Sequence, residues 1–223
     1  MTILSAKDLV KSYGKNNRTR VIDSVNLDVD EGEFIAITGA SGSGKSTLLY
    51  LLAGLETPDE GAVFFMEQNL ASLPDKTLAK LRRTEISFVY QFNNLLNNLS
   101  VFDNLVLPGK IDGKIPIEDK KYLDKLIDIA GIRRILNKFP AEISGGEQQR
   151  AAIVRALFIR PKVIFLDEPT GSLDSENSLN VMRLLKELNE KFSTAVILVT
   201  HSAEVASFAK KIVKIKDGKV LSC

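Results

Sequence analysis

Hydrophobic and polar positions change period several times along these 223 residues, and each change marks an element. Residues 3–10 and 21–31 read as short strands, the second alternating through Val25, Leu27 and Val29. Phe34 to Thr38 is an apolar run too short for a helix and reads as a buried strand; a helix from about Lys45 to Leu55 follows a glycine-rich loop. Pro58-Asp59-Glu60-Gly61 is a turn, with a further strand over Ala62 to Met66. From about Pro74 to Arg160 the pattern is mainly helical. Pro116 suits a first helical position, and Gly131 suits a C-terminal cap for the segment Ile117 to Ala130. Strand periodicity returns over Lys162 to Asp167 and Ala195 to Thr200, with a helix from about Ser175 to Phe192 between them. That spacing builds a parallel sheet. Asp217-Gly218, between Ile212–Lys216 and Lys219–Leu221, signals a hairpin. The outline is one α/β domain: residues 1–90 and 160–223 form the core, and about 91–159 form a helical insertion.

Composition narrows the class without changing that outline. Hydrophobic content of 44% and charged content of 26% are ordinary for a soluble globular protein. Thirty basic residues against 28 acidic ones give no case for nucleic-acid binding. The single cysteine, Cys223, cannot form an intrachain disulfide, so a reducing compartment is expected. The start MTILSAKDLVKSYGK lacks the basic and apolar regions of a secretion signal, and the longest apolar run, Leu48 to Leu55, is too short to span a bilayer. A cytoplasmic protein is expected, and a membrane role would need another chain.

The loop between the third strand and its helix carries the first chemistry. Gly39 to Ser46 fits G-x-x-x-x-G-K-[ST], in the strand–loop–helix context that the motif requires. Glycines let successive N–H groups face phosphate oxygens, and the helix adds its unpaired N–H groups and positive end. Lys45 would reach the β- and γ-phosphates, and the Ser46 hydroxyl would ligate magnesium. A flexible strand-to-helix turn is the plain alternative. In Val163-Ile164-Phe165-Leu166-Asp167-Glu168, a strand ends in two carboxylates. Asp167 is placed for the magnesium shell and Glu168 to polarise an attacking water as general base. Alone, the same pair before Pro169 would merely end a strand.

ISGGEQQRAAIVRAL, residues 143–157, is less usual. Ser144 with Glu147 forms a capping box. Gly145 and Gly146 in the first turn each weaken a helix by roughly 1 kcal/mol against alanine. Their use would be to bare a second helix N-terminus to an anion.

ISGGEQQR resembles the signature motif of ATP-binding-cassette ATPases, the motor subunits of ABC transporters, and that family's other motifs occur in order around it. The resemblance covers essentially the whole chain. It implies a P-loop NTPase (RecA-like) core with a parallel sheet, an N-terminal antiparallel β region and an inserted helical subdomain. It also implies ATP and Mg2+ as cofactors. Tyr13 in KSYG resembles the adenine platform, above a phosphate cradle of Gly39, Ala40, Ser41, Gly42, Ser43, Gly44, Lys45, Ser46 and Thr47. Gln91 in FVYQF resembles the Q-loop glutamine, which joins Ser46 and Asp167 around the metal and contacts the membrane partner. Ser172-Leu173-Asp174 resembles the D-loop, and His201 in VTHS the switch histidine beside the γ-phosphate. Singly, Tyr13 would be packing, Gln91 a surface residue and His201, the only histidine, a structural residue at a strand end.

In the family two cassettes pair head to tail across two ATP molecules. That would set Ser144, Gly145, Gly146 and Glu147 of one chain on the nucleotide of the other, with Asp174 at the interface of an ATP-dependent homodimer. Integral membrane permease subunits are the further partners, holding the cassette on the inner face of the membrane. FVYQFNNLLNNLSVFDNLVLP and LDEPTGSLDS resemble the branch serving lipoprotein release, macrolide export and bacitracin-type peptide resistance. The cell-division cassette, a regulator of extracellular enzymes, belongs to the same group and is the alternative. Two departures stand out: Glu147 where glutamine is usual in the signature, and a flexible stretch at Gly109–Lys114 where the permease would touch.

Overall fold

A computed structural model describes residues 1–14, 18–91, 94–111 and 117–222. Pro116, Cys223, and Asp112, Gly113 and Lys114 lie outside the described residues, as do Phe92 and Asn93 after Gln91. In chain order the elements are β1 (Thr2–Tyr13), β2 (Thr19–Asp30), β3 (Phe34–Thr38), α1 (Lys45–Leu52), β4 (Glu60–Phe65), β5 (Gln68–Asn69), α2 (Asp75–Thr84) and β6 (Ile86–Val89). They continue with α3 (Val101–Ile111), α4 (Ile117–Ala130), α5 (Gly145–Phe158), β7 (Val163–Asp167), α6 (Ser175–Phe192), β8 (Ala195–Thr200), α7 (Ala203–Ala206), β9 (Lys211–Lys216) and β10 (Lys219–Ser222).

Among the described residues the strands form two sheets. One, ordered β2-β1-β4-β5, is antiparallel throughout; the other, ordered β10-β9-β3-β8-β7-β6, is parallel except for the β9–β10 hairpin. Strands β3, β7 and β8 are apolar at nearly every position because both faces of the large sheet are covered. Along β3, Phe34 and Ala36 pack with α3–α6, while Ile35 and Ile37 pack with α1 and the antiparallel sheet. The helices of 101–158 therefore share one core with a face of the sheet, through Ala151, Val154, Ile164 and Leu198.

Three features differ from the sequence pattern. Strand β6 lies inside the stretch read as mainly helical; four residues are too few to show a period, and pairing with β7 decides their conformation. Helix α1 stops at Leu52 and not near Leu55, because Gly54 takes φ +64° and the N–H groups of Gly54 and Leu55 return to the Leu51 and Tyr50 carbonyls. Asn104, fully buried on α3, holds the loop before it: its Oδ1 accepts from the Leu96 N–H, and its amide donates to the carbonyls of Leu96, Leu99 and Ser100. The helices Ile117–Ala130, closed by Gly131 at φ +62°, and Ser175–Phe192 fall where the pattern put them.

The two sheets meet at the β9–β10 turn. Asp217 and Gly218 both have positive φ, as a tight hairpin requires. The Asp23 N–H donates to the Gly218 carbonyl (2.9 Å), and the Gly218 N–H donates to the Ser43 carbonyl (3.2 Å). The hairpin tip thus touches both β2 and the glycine-rich loop.

Candidate nucleotide site

Strand β3 lies between β8 and β9, with β7 beyond β8, and all four run parallel. Their C-terminal ends therefore bring together the loop after β3, the acids after β7 and the histidine after β8. A cleft of about 630 Å³ opens there, lined among others by Tyr13, Lys45, Ser46, Thr47, Glu168 and His201.

The loop is held from behind and open in front. A Cβ at Gly39 would stand 2.3 Å from the Ile215 carbonyl oxygen, and one at Gly44 would stand 2.6 Å from that of Val21, so β9 and β2 press directly on the backbone. At Gly42 nothing lies within 4 Å, and φ is +75°. Gly44 caps α1 in the left-handed region without any side-chain bond, leaving the first N–H groups of the helix for a ligand. Ser43 Oγ is buried without a hydrogen-bond partner. Lys45, only 7% exposed, donates to the Ala40 carbonyl of its own loop at 2.9 Å. A buried ammonium, an orphaned hydroxyl and the open helix start fit a phosphate anion.

Asp167 ends β7 nearly buried. Its Oδ1 accepts from Ser46 Oγ at 3.1 Å and its Oδ2 from the Tyr50 hydroxyl at 2.8 Å. Tyr50 was not legible as a site residue. Burial, and then the adjacent carboxylate, push its phenol well above the ordinary value. Glu168 takes φ +45°, a conformation costly for a non-glycine residue, which turns its carboxylate away from the strand direction. His201 Nδ1 stands 3.2 Å from Glu168 Oε1, a geometry that fits an N–H donated to the carboxylate. A Cβ on Gly171 would lie 3.1 Å from Glu168 Oε2 and 3.3 Å from Gln91 Nε2, so Gln91 reaches the same corner. Tyr13 lines the cleft with its hydroxyl donated to Glu56; burial first, and then this bond, raise its pKa. Glu56 too was missed by motif reading.

The start of α5 is built as its sequence implies. Ser144 Oγ accepts from the Glu147 N–H, and Glu147 accepts from the Ser144 N–H at 2.9 Å. That backbone bond is the main reason the Glu147 carboxyl lies below its ordinary value, with Arg134 3.1 Å away adding to it. None of Ser144, Gly145, Gly146, Glu147 or Asp174 lines the cleft of its own chain. Instead the two segments pack on one another. A Cβ at Gly145 would meet Leu173 at 3.5 Å, and one at Gly146 would meet Asn177 Oδ1 at 2.7 Å. Asn177 is in turn bound to Asp174, the N-cap of α6, through both its backbone and side-chain nitrogens.

Ser46 and Asp167 are hard oxygen donors, and among the described residues no group of three or more His, Cys, Asp or Glu gathers to cage an ion. This donor set fits Mg2+, which keeps several waters and binds through one or two protein oxygens together with nucleotide phosphates.

Residues 22–171 match the ABC transporter family. The chain is 40% identical to a lipoprotein-releasing system ATP-binding protein of Idiomarina loihiensis, over 97% of this chain and 95% of that protein. It is also 40% identical to a bacitracin export ATP-binding protein of Halalkalibacterium halodurans, over 99% of this chain and 87% of that protein. Among solved structures it superposes with TM-score 0.88, at 38% identity and over 98% and 97% of the two chains, on a dimeric ATP-binding cassette in a post-hydrolysis state bound to ADP and Pi.

Proposed function

This chain belongs to the ABC transporter family as an ATP-hydrolysing subunit, and from that premise we propose how its residues divide the work. Lys45 and the N–H groups of the loop bind the β- and γ-phosphates, with Tyr13 under the adenine. Ser46 and Asp167, with Gln91, hold Mg2+, which when bound neutralises charge developing on the phosphates. Glu168 is the general base for the attacking water, and His201 the γ-phosphate sensor.

The observation that carries the reading is the split of the site. The cleft gathers Lys45, Ser46, Glu168 and His201, whereas Ser144–Glu147 form a second helix start outside it, exposed at Ser144 and Gly145. The two halves come together when a second copy docks head to tail, each signature segment closing the other copy's cleft. Glu168→Gln, which keeps the shape and removes the base, should slow hydrolysis by at least a hundredfold. With magnesium-ATP it should elute as a dimer in size-exclusion chromatography. A monomer with ATP demonstrably bound at high concentration overturns the sandwich.

No helix among the described residues is long and apolar enough to cross a membrane. The membrane partner is a permease, met at the cytoplasmic face by the surface near Gln91, where Tyr90, Leu96, Phe102 and Phe139 are exposed. The Val101 and Phe102 N–H groups donate to the Lys138 and Leu136 carbonyls, which brings the segments carrying Phe102 and Phe139 together. An apolar patch of this kind serves docking. The cargo class follows the relatives named above: a lipoprotein or a bacitracin-type peptide. Cells lacking the chain should retain lipoprotein at the inner membrane or become sensitive to such peptides. Neither phenotype would favour the regulatory, division-type alternative.

A further inference from the structure

The geometry points to Tyr50 as a positioning residue that holds the Asp167 carboxylate in the orientation needed at the metal, an inference resting on the role given to Asp167 above. Ser46 and Tyr50 are four residues apart on α1 and so project from one face of the helix toward the end of β7. Between them they take both oxygens of Asp167, Ser46 at Oδ1 and Tyr50 at Oδ2. The two hydroxyls are not equivalent. Ser46 belongs to the phosphate loop, and its oxygen is the one offered to a cation. Once it is so engaged, Tyr50 is the side chain that still holds the carboxylate.

The phenol is itself fixed. Its ring lies 5.7 Å from that of Phe88 on β6, and Phe88 lies 4.5 Å from Tyr90 and 6.3 Å from Phe165 on β7. This aromatic cluster joins α1, β6 and β7, so the hydroxyl arrives at Oδ2 from a ring held, through Phe88, beside the strand that carries Asp167. It also places Tyr50 one ring away from Tyr90, the neighbour of Gln91. Partners one shell out from a metal-bound group fix its orientation, and losing one typically lowers metal affinity about ten- to a hundredfold. The smaller figure applies here, because nucleotide phosphates supply much of the binding.

The test uses the full chain carrying Glu168→Gln, saturated with ATP, and follows its melting temperature against free Mg2+. Adding Tyr50→Phe keeps the ring and its packing and removes only the hydroxyl. The half-saturating Mg2+ concentration should rise about tenfold, while ATP affinity in EDTA stays within about twofold of the parent. In an Asp167→Ala background the same change should have no further effect on Mg2+, since the phenol would have nothing left to orient. A lowered melting temperature with half-saturation unchanged would make Tyr50 a packing residue and overturn the proposal. So would a full shift persisting in Asp167→Ala. If the parent itself shows no Mg2+ dependence, the metal reading of Ser46 and Asp167 fails first, and the Tyr50 proposal fails with it.

Discussion

At the scale of single residues, the roles proposed for the cleft separate groups that would hold a nucleotide from groups that would act on it. Lys45 is the buried cation of the loop, donating to the Ala40 carbonyl. Lys45→Ala leaves phosphate charge facing neutral amides, a loss of about 1.5–3 kcal/mol, so ATP affinity in a nucleotide titration should fall roughly ten- to a hundredfold. His201 differs: it lines the same cleft but is exposed, and the contact it makes there is with Glu168. His201→Ala should change ATP and ADP affinity by under about 1 kcal/mol, yet turnover should collapse, because a contact that matters in the transition state appears in kcat. Equal loss of affinity and turnover would make His201 a binding residue. The His201–Glu168 contact could not be read from sequence, since spacing places both residues at strand ends without showing which way either side chain turns. Nor does the sequence show that Glu168 takes a positive φ. Tyr50 was hidden for a related reason: within LLYLLAGL it reads as one more core position, and only the fold sets it opposite Asp167.

Among elements, the signature helix α5 and the D-loop before α6 are packed as one unit. Gly146→Ala would push a methyl to 2.7 Å from Asn177 Oδ1 and disturb the cap at Asp174. Overpacking of this kind costs about 1–3 kcal/mol, or roughly 2–4 °C of melting temperature per kcal/mol in a domain this size. Asn177→Ala should relieve part of it, so the double variant should melt higher than the sum of the single changes predicts. Strict additivity would show that the two segments are independent. The capping box makes a pH prediction. Glu147 lies below its ordinary 4.5 in the fold, chiefly through the Ser144 N–H. A lowered folded-state value contributes stability above the unfolded value and loses it as pH falls through the folded one. The melting temperature should therefore drop on acidification below about 4.5, and Glu147→Gln should flatten that drop. Ser144, Glu147 and their spacing were legible because a capping box is a local pattern. Strand β6 was not, since its conformation comes from β7 across the sheet.

For the whole molecule, the parallel run of β7 and β8 was legible in their strand–helix–strand spacing, but neither the order of the strands nor the join between the sheets was. The Asp217-Gly218 signal foretold a hairpin; nothing in it told that the tip would reach Ser43 and Asp23. Gly218→Ala tests that join. A Cβ there would lie 2.6 Å from the Val21 carbonyl oxygen at φ +76°, so the backbone of β2 or of the hairpin must move. The expected cost is about 1–3 kcal/mol from the dihedral alone, seen as a lower melting temperature. ATP affinity should fall as well, although the residue does not line the cleft. Lost stability with intact affinity would mean that the tip braces the sheets and not the loop.

The hairpin's hold on the loop also bears on how the protein is made. A ribosome releases Gly39–Thr47 long before it releases residues 211–218, and domains acquire structure as they emerge. Until then β3 lacks its neighbour β9, and the loop has no Ile215 behind Gly39 and no Gly218 beneath Ser43. ATP, abundant around the growing chain, is therefore no template for the first half of synthesis. It becomes a ligand only when the hairpin arrives, and its binding then reports a finished domain. Nascent chains arrested before residue 211 should leave a labelled ATP analogue unbound, while chains arrested far enough beyond residue 222 to clear the exit tunnel should capture it.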